Sequence, residues 1–428
     1  MIQQGITTAL YNRFRKHMQT CVTMQNNHDI YNQQIPILFD SSNNLHRDIR
    51  YHPEQPSRIQ KCVEAMWKQY NLGLIQPCPV SFMDVATIPC PEFFSSWMIE
   101  NKETNPNHSH PPLIQHEPFT DMELDYARAI LVQTHSQEYV SNLEITCKRA
   151  KQRRIDEGKD PLGFSGYIDA DTFLTTESYD VCLRATATWI RCVNKTCLRR
   201  STTSTPISKA AFALTRPPGH HATKTESNGF CLFNFAAAAA IHAIQSGLAT
   251  KVSIFDWDVH YGQGVADIIQ QDPNIRYVSI HQSPAFPYQG TRRKVLGQHR
   301  NILTIPLPPD SSWSCGYQMA LEEYALPFII NHSYSNKNEE DDEWDKMTWI
   351  PDLVIVCAGY DALVSDELAS CNLNASDYGS MTRMLREKLG NDIGIVIGLE
   401  GGYQLDDEVP GGNLPIAVLH TIHELVSR

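Results

Sequence analysis

Five apolar stretches in the second half of the chain each end in a polar or glycine-rich segment, and this pattern limits the fold more than any other feature. Between the first two lies an alanine-rich segment, residues 233–247, which is typical of a helix packed closely against a sheet. Strands that alternate with helices predict a parallel sheet covered on both faces, hence an α/β fold. The stretches are Ala211–Leu214, Val252–Phe255, Tyr277–Ile280, Leu353–Cys357 and Ile393–Leu399.

The segments that follow these strands carry most of the candidate functional groups. In a parallel sheet the carboxyl ends of the strands meet at one edge, and ligands bind there. The five polar strand ends are therefore expected to converge on one site. In chain order they read RPPGHH, DWDVHYGQG, HQSP, AGYD and EGGY.

The first half of the chain is less regular. Residues 1–34 are polar and rich in Gln and Asn, which predicts a flexible extension. A strand is expected at Ile35–Phe39, followed by a helix that starts near Ser57 and carries an apolar stripe. Residues 76–118, rich in Pro and His, predict a long irregular loop. A row of acids within residues 331–348 predicts an acidic surface insertion.

The bulk properties exclude several classes of protein. A formal net charge of −12 argues against direct nucleic-acid binding, which usually needs a basic surface. No apolar run is long enough to span a bilayer, so no membrane partner is expected. The 12 cysteines form no CxxC pair and predict a reducing compartment rather than a disulfide framework. Since no linker divides the chain, residues 35–428 are expected to form one domain.

A candidate metal site follows the second apolar stretch. Asp256, Asp258 and His260 are spaced two apart, which in an extended chain points all three side chains to one side. Asp258 and His260 are candidate ligands, and Asp361 of the AGYD segment is the candidate third. Two carboxylates and one imidazole with an open position fit a catalytic zinc, or another divalent ion, better than a closed structural site.

The adjacent histidines His220 and His221 are candidates for general base and acid, because imidazole titrates near neutral pH. Asp256 is not needed as a ligand and is expected to orient one of them. The neutral amide of Gln263 would hold the other without raising its pKa. Outside a metal site, adjacent histidines more often serve packing and hydrogen bonding, and that alternative stays open.

Three aromatic residues follow strand ends. The hydroxyl of Tyr403 is placed to donate to a developing oxyanion, although a core or rim aromatic is the alternative. Phe230 and Phe286 either wall a narrow apolar tube for an extended aliphatic chain or simply pack there. Together the candidate groups describe metal-activated water that attacks a carbonyl while histidines move the protons, which is amide hydrolysis.

Nine segments, in their order along the chain, resemble the zinc-dependent histone deacetylase family, most closely its class II branch and the related acetylpolyamine amidohydrolases. The resemblance runs from about residue 36 to the C-terminus. It implies a three-layer α/β/α arginase/deacetylase fold, a single zinc ion, and hydrolysis of an acetylated lysine side chain to lysine and acetate. The segments are HPEQPSRI, THSQEYV, DADTF, RPPGHHA, GFCLFN, DWDVHYGQG, SIHQSPAFP, AGYDA and LEGGY.

The resemblance also implies roles for individual residues. His221 resembles the general base and acid, and His220 the second histidine, paired with Asp256. Tyr403 resembles the tyrosine that stabilises the transition state. The implied zinc ligands are Asp258, His260 and Asp361. The implied substrate tunnel is lined by Gly229, Phe230 and Phe286. The resemblance also implies a structural potassium ion near Asp256, Asp258, His260, Ser279 and Ile280.

Some residues depart from the family pattern. Gln263 stands where class I members carry Asp, which favours class II. Tyr261 replaces the usual second histidine after His260. Leu368, a candidate tunnel residue, falls near the gatekeeping glutamate of polyamine-specific members, which favours acyl-lysine peptides as substrates.

The rim of the expected tunnel also differs. Tyr288 and Gln289 replace a glycine-threonine pair that is common in the family, which predicts a reshaped rim. Thr175 and Thr176 stand where relatives hold the substrate backbone, so the same role is a hypothesis for them.

The sequence favours a deacetylase of histones or other proteins, and two alternatives remain. One is an acetylpolyamine or small-amide deacetylase. The other is a non-catalytic acetyl-lysine-binding scaffold in a co-repressor complex, which the retained Tyr403 and both histidines speak against. The nucleus, the cytoplasm or both are expected as the location. The basic, acid-free residues 1–28 leave organelle targeting as an alternative.

Overall fold

The structure, a computed structural model, describes residues 34–71, 80–86, 114–197, 209–331 and 348–427. The flexible extension predicted for residues 1–34 lies outside the described residues except for its last one, and so does all but the two ends of the predicted acidic insertion. Those two ends lie together, because Asn331 and Trp349 exchange backbone hydrogen bonds of 2.8 Å. The boundary between extension and domain stays a prediction.

One large sheet forms the centre of the molecule. Its strands are β1 (Ile35–Phe39), β2 (Val80–Asp84), β3 (Gln115–His116), β6 (Ala210–Leu214), β7 (Val252–Asp256), β8 (Ile275–Gln282), β9 (Lys294–Leu296), β10 (Ile302–Leu307), β11 (Leu353–Ala358) and β12 (Gly394–Leu399). The strands β4 (Phe164–Tyr167) and β5 (Phe173–Thr175) form a separate antiparallel pair. Within the described residues the strand order is β3-β2-β1-β6-β12-β11-β7-β8-β10-β9. Neighbouring strands run parallel, except that β9 is antiparallel to β10. The predicted, mainly parallel sheet is confirmed.

All five predicted apolar stretches lie in this sheet, as β6, β7, β8, β11 and β12. Every residue of β7, β8 and β11 is buried. Strands covered on both faces need apolar side chains on both, which is why they appear in the sequence as continuous apolar runs. The carboxyl ends of β6, β12, β11, β7 and β8 lie side by side, since these strands are consecutive in the sheet.

Helices cover both faces of the sheet. They are α1 (Ser57–Asn71), α2 (Asp121–Thr134), α3 (Gln137–Asp156), α4 (Ser178–Cys197), α5 (Phe235–Gln245), α6 (Gln263–Ile269), α7 (Tyr317–Met319), α8 (Leu326–Ile329), α9 (Ala375–Leu389) and α10 (Leu414–Val426), with a 3₁₀ helix at Ser41–Leu45 and a π-helical segment, Ala320–Ala325, between α7 and α8. Helices α1, α9 and α10 pack together, as do α2, α4 and α5. The sheet separates two cores, because Phe255 of β7 belongs to one hydrophobic cluster and its neighbour Ile254 to the other. The three-layer α/β/α architecture is confirmed.

Helix α1 shows how the stripe predicted from the sequence becomes a packing face. Ile59, Val63, Met66 and Trp67 are all buried, and the helix contacts α10. Their spacing of i, i+4, i+7 and i+8 places them on one side of a helix. Arg58 is also fully buried, and it extends toward the end of β12.

The prediction that residues 76–118 form one long irregular loop is wrong in part. Val80–Asp84 within it forms β2, which pairs in parallel with β1 from Ile35↔Val80 to Phe39↔Asp84. This strand is hard to predict, because it has only five residues, few of them β-branched, and lies among prolines. The hydrogen bonds that β1 offers at its open edge decide the conformation of β2, and these are not visible in the local sequence.

Among the residues that the structure describes, no helix combines the length and apolar character needed to cross a bilayer. The described cysteines are all free thiols, and most of them are buried.

Two buried histidines in the core beside α5 are held in their neutral forms. Nδ1 of His242 accepts from the Tyr126 hydroxyl at 2.8 Å while Nε2 donates to Oδ1 of Asn194 at 3.0 Å. Nδ1 of His135 donates to a backbone carbonyl, and Nε2 accepts the Asn234 amide at 3.0 Å. Burial lowers the pKa of His242 to about 3 and that of His135 to about 4.

We expect acid to destabilise the fold through these histidines. In the unfolded chain both histidines titrate near their ordinary pKa of 6.5. Between pH 6.5 and the lower pKa values of the folded protein, the unfolded state therefore binds more protons than the folded state, which favours unfolding. From pH 7 to pH 5 each should cost about 2 kcal/mol of the free energy of unfolding. Urea denaturation of the wild type and of His242→Gln at both pH values measures this. The variant should lose about 2 kcal/mol less than the wild type, and an equal loss in both proteins would contradict the prediction.

Candidate active site

Asp258, His260 and Asp361 lie together at the carboxyl ends of β7 and β11. One ligand-type atom from each is within 4.8 Å of the other two. Nδ1 of His260 is 3.2 Å from Oδ1 of Asp258 and 3.1 Å from Oδ2 of Asp361. Both carboxylates are fully buried, whereas the His260 side chain keeps 13% of its surface exposed. The cluster therefore opens to the outside on the imidazole side.

The backbone fixes both carboxylates of this cluster. Oδ2 of Asp258 accepts the Gly401 amide at 2.8 Å, and Oδ1 of Asp361 accepts the Val259 amide at 2.9 Å. A Cβ on Gly401 would lie 2.2 Å from Oδ2 of Asp361, so the backbone can approach this closely only at glycine.

The charges of the cluster suit a divalent cation. Burial raises the pKa of Asp361, and the neighbouring Asp258 carboxylate raises it further. Two buried carboxylates and one imidazole with an exposed side form a donor set that zinc accepts in catalytic sites. The residues present therefore fit a zinc ion held by Asp258, His260 and Asp361.

His220 is paired with a carboxylate. Its Nδ1 lies 3.0 Å from Oδ2 of Asp256, and the same oxygen accepts the Tyr277 hydroxyl at 2.8 Å. Burial alone would lower the pKa of His220, but the Asp258 and Asp256 carboxylates raise it to about 10. The two carboxylates therefore favour the protonated form of His220.

His221 is paired with a neutral amide. Its Nδ1 lies 2.7 Å from Oε1 of Gln263, the first residue of α6. Burial lowers the pKa of His221, and the nearby His220 and His260 lower it further. The rings of the two adjacent histidines are 3.9 Å apart at their centroids. Two neighbouring imidazoles with pKa values shifted in opposite directions are suited to a division of labour between base and acid.

Tyr403 is placed over this group from the end of β12. Its backbone amide donates to Oδ2 of Asp366 at 2.7 Å. The guanidinium of Arg58 lies 4.7 Å from its ring centroid and donates to the carbonyls of Gly402 and Glu400 on either side of the turn. Burial raises the pKa of the Tyr403 hydroxyl well above its ordinary value, so the hydroxyl stays protonated and able to donate.

Phe230 and Phe286 form two walls beside the histidines. Phe286 lies edge-on to His221 with centroids 4.9 Å apart, and Phe230 lies edge-on to Tyr403 at 5.7 Å. Phe230 has a φ of 68°, which is uncommon for a residue with a side chain and typical of functional sites. A Cβ on Gly229 would lie 2.7 Å from both His221 and Phe286, so a side chain there would fill the space between them.

The structure distinguishes among the predicted rim residues. Leu368 is 36% exposed, and its amide donates to Oδ1 of Asp366 at 3.0 Å. Thr175 and Thr176 are buried, and their hydroxyls bond to Ser178 and to the Gly163 amide. The role of these two threonines in holding a substrate backbone stays a prediction.

Three residues that support the candidate site were not predicted from the sequence. Arg58 and Asp366 support Tyr403, and a single oxygen of the buried Glu400 accepts the amides of Gly219 and His220 at 2.5 and 3.1 Å. A charged residue directly next to an apolar stripe or strand end was a signal that could have found Arg58 and Glu400. Asp366 lies in a loop and gave no such signal.

The chain is similar in sequence to a family model and to several known proteins. The histone deacetylase domain, as a family model, matches residues 52–411. An uncharacterized protein of Synechocystis is 38% identical over 275 residues, covering 64% of this chain and 76% of that protein. Histone deacetylase 15 of Arabidopsis thaliana is 36% identical over 206 residues, or 46% of this chain, and the match spans 33% of that relative's length.

A solved structure shares the fold. The crystal structure of the HDA15 HD domain superposes with a TM-score of 0.64 and covers 92% of this chain and 90% of its own. The sequence identity in this comparison is 24%, so the likeness concerns the arrangement of strands and helices.

Proposed function

Since the chain belongs to the histone deacetylase family, we propose that it hydrolyses the acetyl amide of lysine side chains in histones or other proteins, with zinc as its cofactor. Deacetylase chemistry comes with the family and its arginase/deacetylase fold. The observation that carries the finer proposal is the pairing of His220 with Asp256 and of His221 with Gln263, beside Asp258, His260 and Asp361.

Zinc would be held by Asp258, His260 and Asp361, and when bound it would polarise the amide carbonyl and lower the pKa of a water molecule. We also propose a structural potassium ion near Asp256, Asp258, His260, Ser279 and Ile280. In support, Asp256 and Ser279 are register partners on β7 and β8, so their backbones lie level with each other.

The protonation states of the chain's own residues suggest their roles. His221 is neutral at physiological pH, accepts a proton from the attacking water and then donates a proton to the nitrogen of the leaving lysine amine. The Asp256 carboxylate favours the protonated form of His220, which would carry a positive charge next to the reaction centre. The Tyr403 hydroxyl donates to the oxygen of the amide carbonyl as that oxygen gains negative charge. Phe230 and Phe286 surround the aliphatic part of the lysine and keep bulk water away.

Two features favour a protein substrate of class II type over a polyamine. Gln263 is the partner of His221 where class I members carry Asp. Leu368 itself carries no charge that could bind a polyamine cation, although the adjacent Glu367 carboxylate lies at the same rim. The presence of Tyr403 and of both histidines in the chain speaks against a non-catalytic scaffold.

A single comparison tests this proposal. The zinc-loaded protein is assayed with an acetyl-lysine peptide, an acetylpolyamine and metal-free controls side by side. We expect zinc-dependent release of acetate with preference for the peptide. A strong preference for the polyamine would replace the proposed substrate, and tight peptide binding without turnover would favour the scaffold.

Asp366 should matter for turnover although it touches no substrate. Its carboxylate accepts the amides of Tyr403, Gln404 and Leu368, and Asp366→Asn replaces one acceptor oxygen by a donor. We expect kcat to fall about ten- to a hundredfold, because small displacements of a catalytic group are costly. Zinc content and KM should change little.

Asp352→Asn is the matched control for Asp366→Asn. Asp352 accepts the amides of Thr250 and Lys251 near the opposite ends of the strands. The control should keep wild-type kcat. Equal losses in both variants would show that Asp366 acts on stability rather than on Tyr403.

We further propose, from the sequence, that the protein acts in the nucleus or cytoplasm, on acetylated proteins and within a co-repressor complex. Fractionation and affinity purification of the tagged protein test both points.

A further inference from the structure

The three most exposed large hydrophobic side chains among the described residues all lie in loops that carry the proposed tunnel. Ile49 and Tyr51 are each 75% exposed and Tyr288 is 74% exposed, whereas the next, Met319, is 58% exposed. Single exposed apolar residues are ordinary, but their concentration in loops next to a site is typical of a contact surface.

Tyr51 lies next to one wall of the tunnel. The following residue, His52, packs edge-on against the wall residue Phe230 with centroids 4.8 Å apart. The Tyr51 hydroxyl donates to Oε1 of Glu367 at 2.9 Å, which places it beside the rim residue Leu368. The ring itself remains exposed between these two parts of the mouth.

A cleft opens beside Tyr51. Its volume is about 530 Å³, enough for a large side chain. Most of its lining is polar or charged, including Arg47, Asp48, His52 and Glu54, and Ile49 and Tyr51 provide its apolar surface. Because His52 also packs against Phe230, the cleft is one side chain away from the tunnel wall. A chain whose lysine enters the tunnel would thus bring a neighbouring residue to the cleft.

Tyr288 lies next to the opposite wall, two residues after Phe286. Its φ is 60°, a left-handed conformation that glycine adopts freely and tyrosine does not. Phe230 and Tyr288 are the two aromatic residues with positive φ in the described chain. Strain of this kind persists where the surrounding structure holds a side chain in place, and it concentrates at ligand-binding sites.

We propose that Tyr51 and Tyr288 are specificity-determining residues that bind large apolar side chains flanking the acetyl-lysine of a polypeptide substrate. This inference rests on the proposed deacetylase function and adds the sequence context of the substrate. Tyrosine rings offer a large, rigid surface that loses little conformational entropy on binding. Ile49 adds aliphatic surface on the Tyr51 side, and Leu368 continues it toward the tunnel.

The test uses three acetyl-lysine substrates with the zinc-loaded protein. One is a pentapeptide with phenylalanine on both sides of acetyl-lysine, the second has serine at these positions, and the third is an acetyl-lysine amide without flanking residues. We expect kcat/KM for the phenylalanine peptide to exceed that for the serine peptide about tenfold, the scale of an aromatic contact, and through KM.

Variants separate the rings from other effects. Tyr51→Ser and Tyr288→Gly remove a ring, and each should reduce the preference severalfold while leaving the acetyl-lysine amide unaffected. Tyr51→Phe and Tyr288→Phe keep the rings and should keep the preference, although Tyr51→Phe loses the bond to Glu367. Met319→Ala removes a similarly exposed apolar side chain from α7 and should change nothing.

The outcomes distinguish this inference from the proposed function. Equal turnover of both peptides by the wild type overturns the inference and leaves the deacetylase function intact. A preference that survives the loss of both rings, or that falls equally in Met319→Ala, also overturns it. Absence of turnover with all three substrates instead counts against the proposed function itself.

Discussion

Asp258→Ala should yield a folded protein that binds no zinc and releases no acetate from acetyl-lysine. Asp258 is one of three groups that lie within 4.8 Å of one another, and two of the three carry the negative charge that balances a divalent cation. Loss of an outer partner of a metal ligand already costs about 10–100-fold in affinity. Loss of a ligand should therefore weaken zinc binding by more than about a hundredfold.

The measurements are zinc content by atomic spectroscopy, zinc affinity by competition with a chelator, and acetate release. Because Asp258 also accepts the Gly401 and His260 amides, Asp258→Asn is a second variant that keeps the volume and removes the charge. Asp125→Ala, an exposed carboxylate on α2, is the control and should retain both properties. Wild-type zinc affinity in Asp258→Asn would exclude Asp258 as a ligand.

Tyr403→Phe should keep zinc and the fold but lose about two to three powers of ten in kcat, the effect of removing one oxyanion donor. The hydroxyl is the only atom removed, and the ring contacts with Arg58 and Phe230 can persist. Because this donor acts on charge that develops during the reaction, KM should change much less than kcat.

Tyr126→Phe is the matched control for Tyr403→Phe. It removes a buried hydroxyl that bonds to His242, far from the strand ends. This variant should lose stability and keep kcat. If Tyr403→Phe retains full activity, its proposed role as oxyanion donor is untenable.

The fold could largely be predicted because its central strands are covered on both faces. Such strands must be apolar along their whole length, so β6, β7, β8, β11 and β12 were visible as separate runs. The strand β2, which lies between β3 and β1, was missed, since its conformation depends on hydrogen bonds from its neighbours rather than on its own residues.

The candidate site was visible for a related reason. Parallel strands place their carboxyl ends together, so His220, His221, Asp258, Asp361 and Tyr403 could be assigned to one place from five separate segments. Asp366 shows the limit of such reasoning, because it supports Tyr403 from a loop that carries no such strand pattern.

The sequence by itself determined the order of strands and helices along the chain and the chemical groups at the strand ends. The pairing of Asp256 with His220 and of Gln263 with His221 was expected from the sequence and its resemblance, and the structure shows both contacts. Only the tertiary structure decided that Arg58 and Asp366 meet Tyr403. The physical reason is distance. Arg58 is separated from the carbonyls of Gly402 and Glu400 by 344 and 342 residues, and no local pattern records a contact over such separations. The pKa of a buried group depends on its neighbours and on its burial. The opposite pKa shifts of His220 and His221 therefore also exist only in the folded chain.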